Sequence, residues 1–177
     1  MHTQPSQNPE MRLGNGSHGH TLIELCLGVT LIAVLAGLAV PGFRAALRGA
    51  AVRSAAFELA AGLRQARAAS ILESRTAVFC LSDAAGKCLA GVDSSFAWAA
   101  YLEVDGHAEP VAAGALPRGV TLYASRTKLS FWPDTRAGST GTLTICDSQG
   151  VAPPRAIVLS QVGRLRFADG SAAACGT

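Results

Sequence analysis

Charge is scarce in this chain. Its 177 residues carry 15 Lys and Arg against 12 Asp and Glu, so that 15% are charged, where globular proteins average about 25%. Hydrophobic residues make up 49% and the mean hydropathy is positive, which argues against a fully soluble, cytoplasmic protein. The 19 Gly and 8 Pro follow no collagen-like or repeat period, and fibrous and solenoid classes are excluded. Histidine is almost confined to the N-terminus, as His2, His18 and His20. His107 alone lies further on, in the acidic turn Val104–Glu109, where a solvated surface group is expected. H-E-x-x-H, phosphate-cradling glycine loops, G-x-S-x-G and EF-hand patterns are missing. Asp134 and Asp147 each follow an apolar run and suit turn roles. Catalysis, a cofactor and a metal site are therefore not expected.

What is present is concentrated. From Leu22 to Val40 the run LIELCLGVTLIAVLAGLAV holds 19 residues with one charge, Glu24. As a helix it spans about 28 Å, close to the hydrocarbon thickness of a bilayer. The run is longer than the core of a signal peptide, and Pro41-Gly42-Phe43-Arg44 behind it lacks a small-x-small cleavage site, so it is read as a retained anchor. Glu24 is then costly in hydrocarbon. Either it sits wet at the interface, or it has a partner such as an N-terminal ammonium on a neighbouring subunit. The preceding MHTQPSQNPEMRLGNGSHG is polar with a single Arg, Arg12, and Met11 is an alternative start. A cytoplasmic N-terminus with the bulk of the protein in the periplasm is the expected orientation.

The 137 residues after Val40 can build one sizeable core. Residues 44–75 are rich in Ala, Leu and Arg, strong helix formers, and Val52, Ala56, Leu59, Leu63 and Ala66 recur at helical spacing. One helix from about residue 21 to about residue 75 is predicted, kinked at Pro41. Six Arg against two acids leave this stretch at +4, which reads as a solvated face near anionic lipid. Beyond it, short apolar runs begin at Thr76, Phe96, Gly119, Lys128, Gly141, Ala156 and Gly163 and are separated by turn residues. They predict antiparallel sheets, hence an α+β fold with a long helix packed on a β-rich head. Cys80, Cys88, Cys146 and Cys175 form an even set, as two disulfides in an oxidising compartment require. Three pairings are open; the nine-residue span makes Cys80–Cys88 the natural local pair, and Cys146–Cys175 would then tie down the C-terminus. A zinc site is disfavoured because no Cys-x2-4-Cys spacing occurs. Cys26 is expected to be a small apolar side chain in the helix packing seam.

The head is polarised. Residues 76–117 carry −4 and residues 118–177 carry +4. Within the basic half, Ser160-Gln161-Val162-Gly163 reads as a tight turn leading into Arg164-Leu165-Arg166. In a strand the two arginines project from one face about 6–7 Å apart, with Leu165 on the other. Successive phosphates of a DNA strand are spaced comparably, so each guanidinium fork can take one. Arginines two apart on an edge strand equally suit a solvated face or a subunit contact. Lys128, Arg126, Arg136 and Arg118 extend the patch only if the fold brings them together.

Gly19-His20-Thr21-Leu22-Ile23-Glu24-Leu25, followed by the apolar run and Pro41, resembles the class III signal of type IV pilins and pseudopilins. The resemblance implies that a prepilin peptidase cuts after Gly19 and methylates His20, which stands where the family normally has Phe. It also implies that Glu24 pairs with a neighbouring N-terminus during filament assembly. The chain then divides into a leader (1–19), a membrane-spanning half-helix (20–43), a periplasmic half-helix (44–75) and a head (76–177). Cys80 and Cys88, the Trp98/Tyr101 strand, Ile145-Cys146-Asp147, and Arg155, Ser160, Gly163, Arg164 and Arg166 with closing Cys175 resemble the GspH/FimT branch of pseudopilins and minor pilins. Its FimT-like members are similar in a C-terminal Gly-Arg-x-Arg signature, which falls here on Gly163, Arg164, Leu165 and Arg166. That resemblance implies non-specific DNA binding in natural transformation, with other pilins, the prepilin peptidase and the inner membrane as partners. A GspH-like minor pseudopilin of a type II secretion system, and a structural or priming pilin without DNA binding, are the alternatives.

Overall fold

The computed structural model describes residues 21–91, 94–134 and 138–176. The leader, Gly19, His20 and Arg136 lie outside them. The chain divides into two compact units at Val40/Pro41. Helix α1, Leu22–Leu72, runs through both, and its helical assignment is unbroken at Pro41. The described residues up to Val40 are all exposed, and this stretch is long and apolar enough to cross a membrane. Cys26 is a free, exposed thiol.

The predicted helix overruns the observed end by about a turn. Ser74 takes a left-handed φ of 52°, and the Arg75 N–H donates to Ser70 O at 3.2 Å. Such a reversal caps orphan carbonyls and stops propagation.

Among the described residues of the second unit, eight strands form two antiparallel sheets. These are β1 (Ala77–Ser82), β2 (Ala97–Val104), β3 (His107–Ala115), β4 (Val120–Ala124), β5 (Lys128–Phe131), β6 (Gly141–Asp147), β7 (Arg155–Leu159) and β8 (Leu165–Asp169). The strand orders are β3-β2-β1-β5 and β4-β6-β7-β8. Strand β3 corrects the sequence reading, which placed His107 in a loop. Its run of small residues with Pro110 carries no apolar alternation, and pairing with β2 alone holds it at the sheet edge. A 3-10 turn, Ala172–Cys175, closes the chain.

The predicted helix face is the buried one: Val52, Ala56, Leu59, Leu63 and Ala66 are all buried. They pack on Phe79 and Leu81 from the first sheet and on Leu122, Leu143, Ile145 and Ile157 from the second. Close approach needs glycine. A Cβ on Gly62 or Gly114 would collide with the Trp98 ring, which stacks on Phe79 at 5.3 Å. The cysteines are joined as Cys80–Cys88 and Cys146–Cys175, with Cα separations of 5.6 and 5.9 Å.

Candidate functional site

Between β7 and β8 the chain reverses over Ser160–Gly163. The Gly163 N–H donates to Ser160 O at 2.8 Å, and the Ser160 N–H donates to Arg164 O at 3.0 Å. Ser160 Oγ accepts from the Arg164 N–H at 3.1 Å. Gly163 has a φ of +70°, and a Cβ there would lie 3.0 Å from the Arg67 guanidinium carbon. Both facts favour glycine. Arg67 Nη1 donates to Gly163 O at 2.7 Å, so helix α1 clamps the turn from which Arg164 leaves. In the sequence Arg67 belongs to the basic helix stretch, on a turn able to face solvent or a filament neighbour; a bond reaching 96 residues along the chain leaves no local signal.

Strand β8 is the outer strand of its sheet and pairs only with β7. Leu165 packs against the core, while Arg164 and Arg166 are exposed. Arg166 lies opposite Val158, which lies opposite Thr142. Arg126 joins Thr142 and Val158 in lining a depression of about 500 Å³. Arg126, Arg164 and Arg166 therefore share one end of the second sheet.

Of the other predicted contributors among the described residues, Arg118 lies apart and Lys128 follows Arg126 by two residues. Arg118 precedes β4, whose first residue Val120 pairs with Asp147 at the opposite end of the sheet, and its carbonyl accepts from Arg48 Nη1 at 3.4 Å. Lys128 opens β5, the edge of the first sheet, opposite Cys80. At Arg118's end the acids are occupied. Asp147, buried, accepts the N–H groups of Val151 at 2.9 Å and Ala152 at 3.1 Å, and Arg48 stands 3.9 Å from it. Asp169 pairs with Arg155 at 3.0 Å.

A second feature was not foreseen. Helix α1 and the β7–β8 turn enclose a groove of about 720 Å³, lined among others by Arg64, Arg67, Ile71, Val162, Arg164 and Leu165. Three guanidinium groups thus converge where the apolar seam between helix and sheet opens to solvent. Such a surface suits an extended polyanion. Far from it in sequence, Glu24 occupies the first turn of α1, exposed, its N–H donating to Thr21 Oγ1 at 3.4 Å.

A family described as type II transport protein GspH matches residues 55–163. The match ends at Gly163, so Arg164 and Arg166 lie beyond it. No curated protein matches the chain. Among solved structures, the chain is similar to the type IV minor pilin FimU of Pseudomonas aeruginosa strain PAO1. In the P21 crystal form the identity is 21% over 66% of this chain and 87% of that one, with a TM-score of 0.50. The P65 form gives 20% identity, 66% and 91% coverage, and a TM-score of 0.49. The first of these establishes the fold as type IV pilin-like: a long N-terminal helix packed on an antiparallel β-rich head. Among the described residues, one apolar helix is long enough to span a membrane, and it leads into the β-rich head.

Proposed function

The chain belongs to the GspH family of type II transport proteins, a minor pilin and pseudopilin family, and on that premise we propose that it is a minor type IV pilin that captures DNA. It assembles with other pilin subunits. In this reading a prepilin peptidase removes the leader after Gly19 and methylates His20, and Glu24 pairs with the N-terminus of a neighbour. The helix crosses the inner membrane over 20–43 and continues in the periplasm over 44–75, with residues 76–177 as the head. DNA is held through its phosphates by Arg164 and Arg166, with Arg126 beside them. Binding is electrostatic and indifferent to sequence, as uptake in natural transformation requires.

One observation carries this reading: Arg166 on a free edge strand and Arg164 just before that strand, beyond a turn that Arg67 clamps, are both exposed. Neither is engaged by an acid among the described residues. The test is a gel-shift titration of full-length protein in zwitterionic-lipid nanodiscs at low salt. Arg164→Ala with Arg166→Ala lowers affinity about tenfold or more, since a charge-assisted bond is lost at each position. Unchanged affinity in a folded double variant overturns the reading.

The second reading is a minor pseudopilin of a type II secretion system, favoured by the family description and by a match that stops short of Arg164. Deleting the gene then blocks protein secretion and leaves transformation intact. A purely structural or priming pilin is separated by its effect on piliation, which a DNA receptor leaves largely unchanged.

A further inference from the structure

Phe57 and Phe167 present an aromatic pair to solvent beside the arginine groove. Their ring centroids are 5.2 Å apart in an edge-to-face arrangement, yet Phe57 is 63% and Phe167 44% exposed. Phe57 precedes Arg64 by two turns of the same helix face, about 10 Å along α1. Phe167 shares the strand face of Leu165, which lines the groove, and lies about 7 Å beyond it. The aromatic pair therefore continues the groove formed by Arg64, Arg67 and Arg164. Nearby acids are directed elsewhere: Glu58 stands beside Gly114, and Asp169 is paired with Arg155.

Resting on the DNA-capture reading, we infer that this groove and the Phe57–Phe167 pair form a single-strand subsite, with phosphates on Arg64 and Arg164 and an unstacked base on the aromatic pair. A duplex keeps its bases stacked and offers no ring to Phe167. A single strand offers one at every nucleotide, whatever its sequence, and base–aromatic stacking is the usual source of such tolerance. Arg67 gives one donor to Gly163 O and retains others for the strand. An arginine-only surface favours the duplex, whose charge density is the higher. Preference for the single strand is thus the signature of stacking.

The experiment is fluorescence anisotropy with labelled oligothymidylate and with a mixed-sequence duplex of equal length, on full-length protein in zwitterionic nanodiscs. Wild type binds the single strand at least about fivefold more tightly. Phe167→Leu, which keeps apolar bulk, loses about tenfold on the single strand and leaves the duplex unchanged, and Phe167→Tyr restores the preference. Equal or tighter duplex binding by wild type, or a single-strand affinity indifferent to Phe167→Leu, overturns the subsite, leaves the arginine reading standing and assigns the pair to a neighbouring subunit. Binding of neither probe by folded protein overturns the DNA reading and the subsite together.

Discussion

Gly163 and Asp147 each hold a turn in place, for different physical reasons. At Gly163 the constraint is steric: φ is +70° and Arg67 occupies the space a Cβ would need. Gly163→Ala costs about 1–2 kcal/mol from the left-handed conformation alone. Displacing Arg67 from Gly163 O also frees the turn, so a lowered urea midpoint should be accompanied by weaker DNA binding. Full retention of both measures would show that the clamp does not position Arg164. At Asp147 the constraint is hydrogen bonding, since its carboxylate is buried and accepts from the N–H groups of Val151 and Ala152. Asp147→Ala strands these donors and costs about 2–3 kcal/mol. Asp169→Ala removes only an exposed partner of Arg155 and leaves the midpoint nearly unmoved. Urea unfolding followed by tryptophan fluorescence checks all three variants. The turn role of Asp147 was legible because an acid after an apolar run is a local pattern. The Arg67 clamp was not, since it joins elements far apart in the chain.

Helix α1 and strand β3 mark the two extremes of what local sequence conveys. The helix announced its buried face through the spacing of Val52, Ala56, Leu59, Leu63 and Ala66, because a 3.6-residue period is written along the chain itself. Strand β3 was silent, since its small residues bury little and its conformation is imposed by pairing with β2. The disulfides fall between these cases. Spacing favoured Cys80–Cys88, whereas Cys146–Cys175 followed only by elimination, and what joins them is the approach of the closing 3-10 turn to β6. The chain-entropy account of crosslinks ranks the two bonds. With a sequence separation of 29, replacing Cys146 and Cys175 by Ser costs about 3–4 kcal/mol. With a separation of 8, the same change at Cys80 and Cys88 costs about 2–3 kcal/mol. Denaturation of the two variants under oxidising conditions tests the order. The reverse order would mean that native contacts, not loop closure, dominate.

At the scale of the whole molecule, the charge asymmetry of the head was readable from composition, but not which cations act together. Residues 118–177 carry a net +4, yet the antiparallel register divides them. Arg126, Arg164 and Arg166 gather at one end of the second sheet, while Arg118 goes to the other with Arg48, Asp147 and the Arg155–Asp169 pair. Sequence distance misleads here because each hairpin returns the chain to the end it left. Helix α1 then adds Arg64 and Arg67 to the same end through the groove. The consequence is measurable in salt. If Arg64, Arg126, Arg164 and Arg166 each neutralise a duplex phosphate, log K falls against log salt with a slope of about −3 to −4. Arg164→Ala with Arg166→Ala should flatten that slope by about 2. Arg118→Ala should leave both slope and affinity unchanged, although its charge and exposure match those of Arg164. Salt titrations of the three proteins with one duplex separate the possibilities. An equal loss from Arg118→Ala would mean that net charge, spread over the head, does the binding, and the gathering of arginines at one sheet end would then have no functional weight.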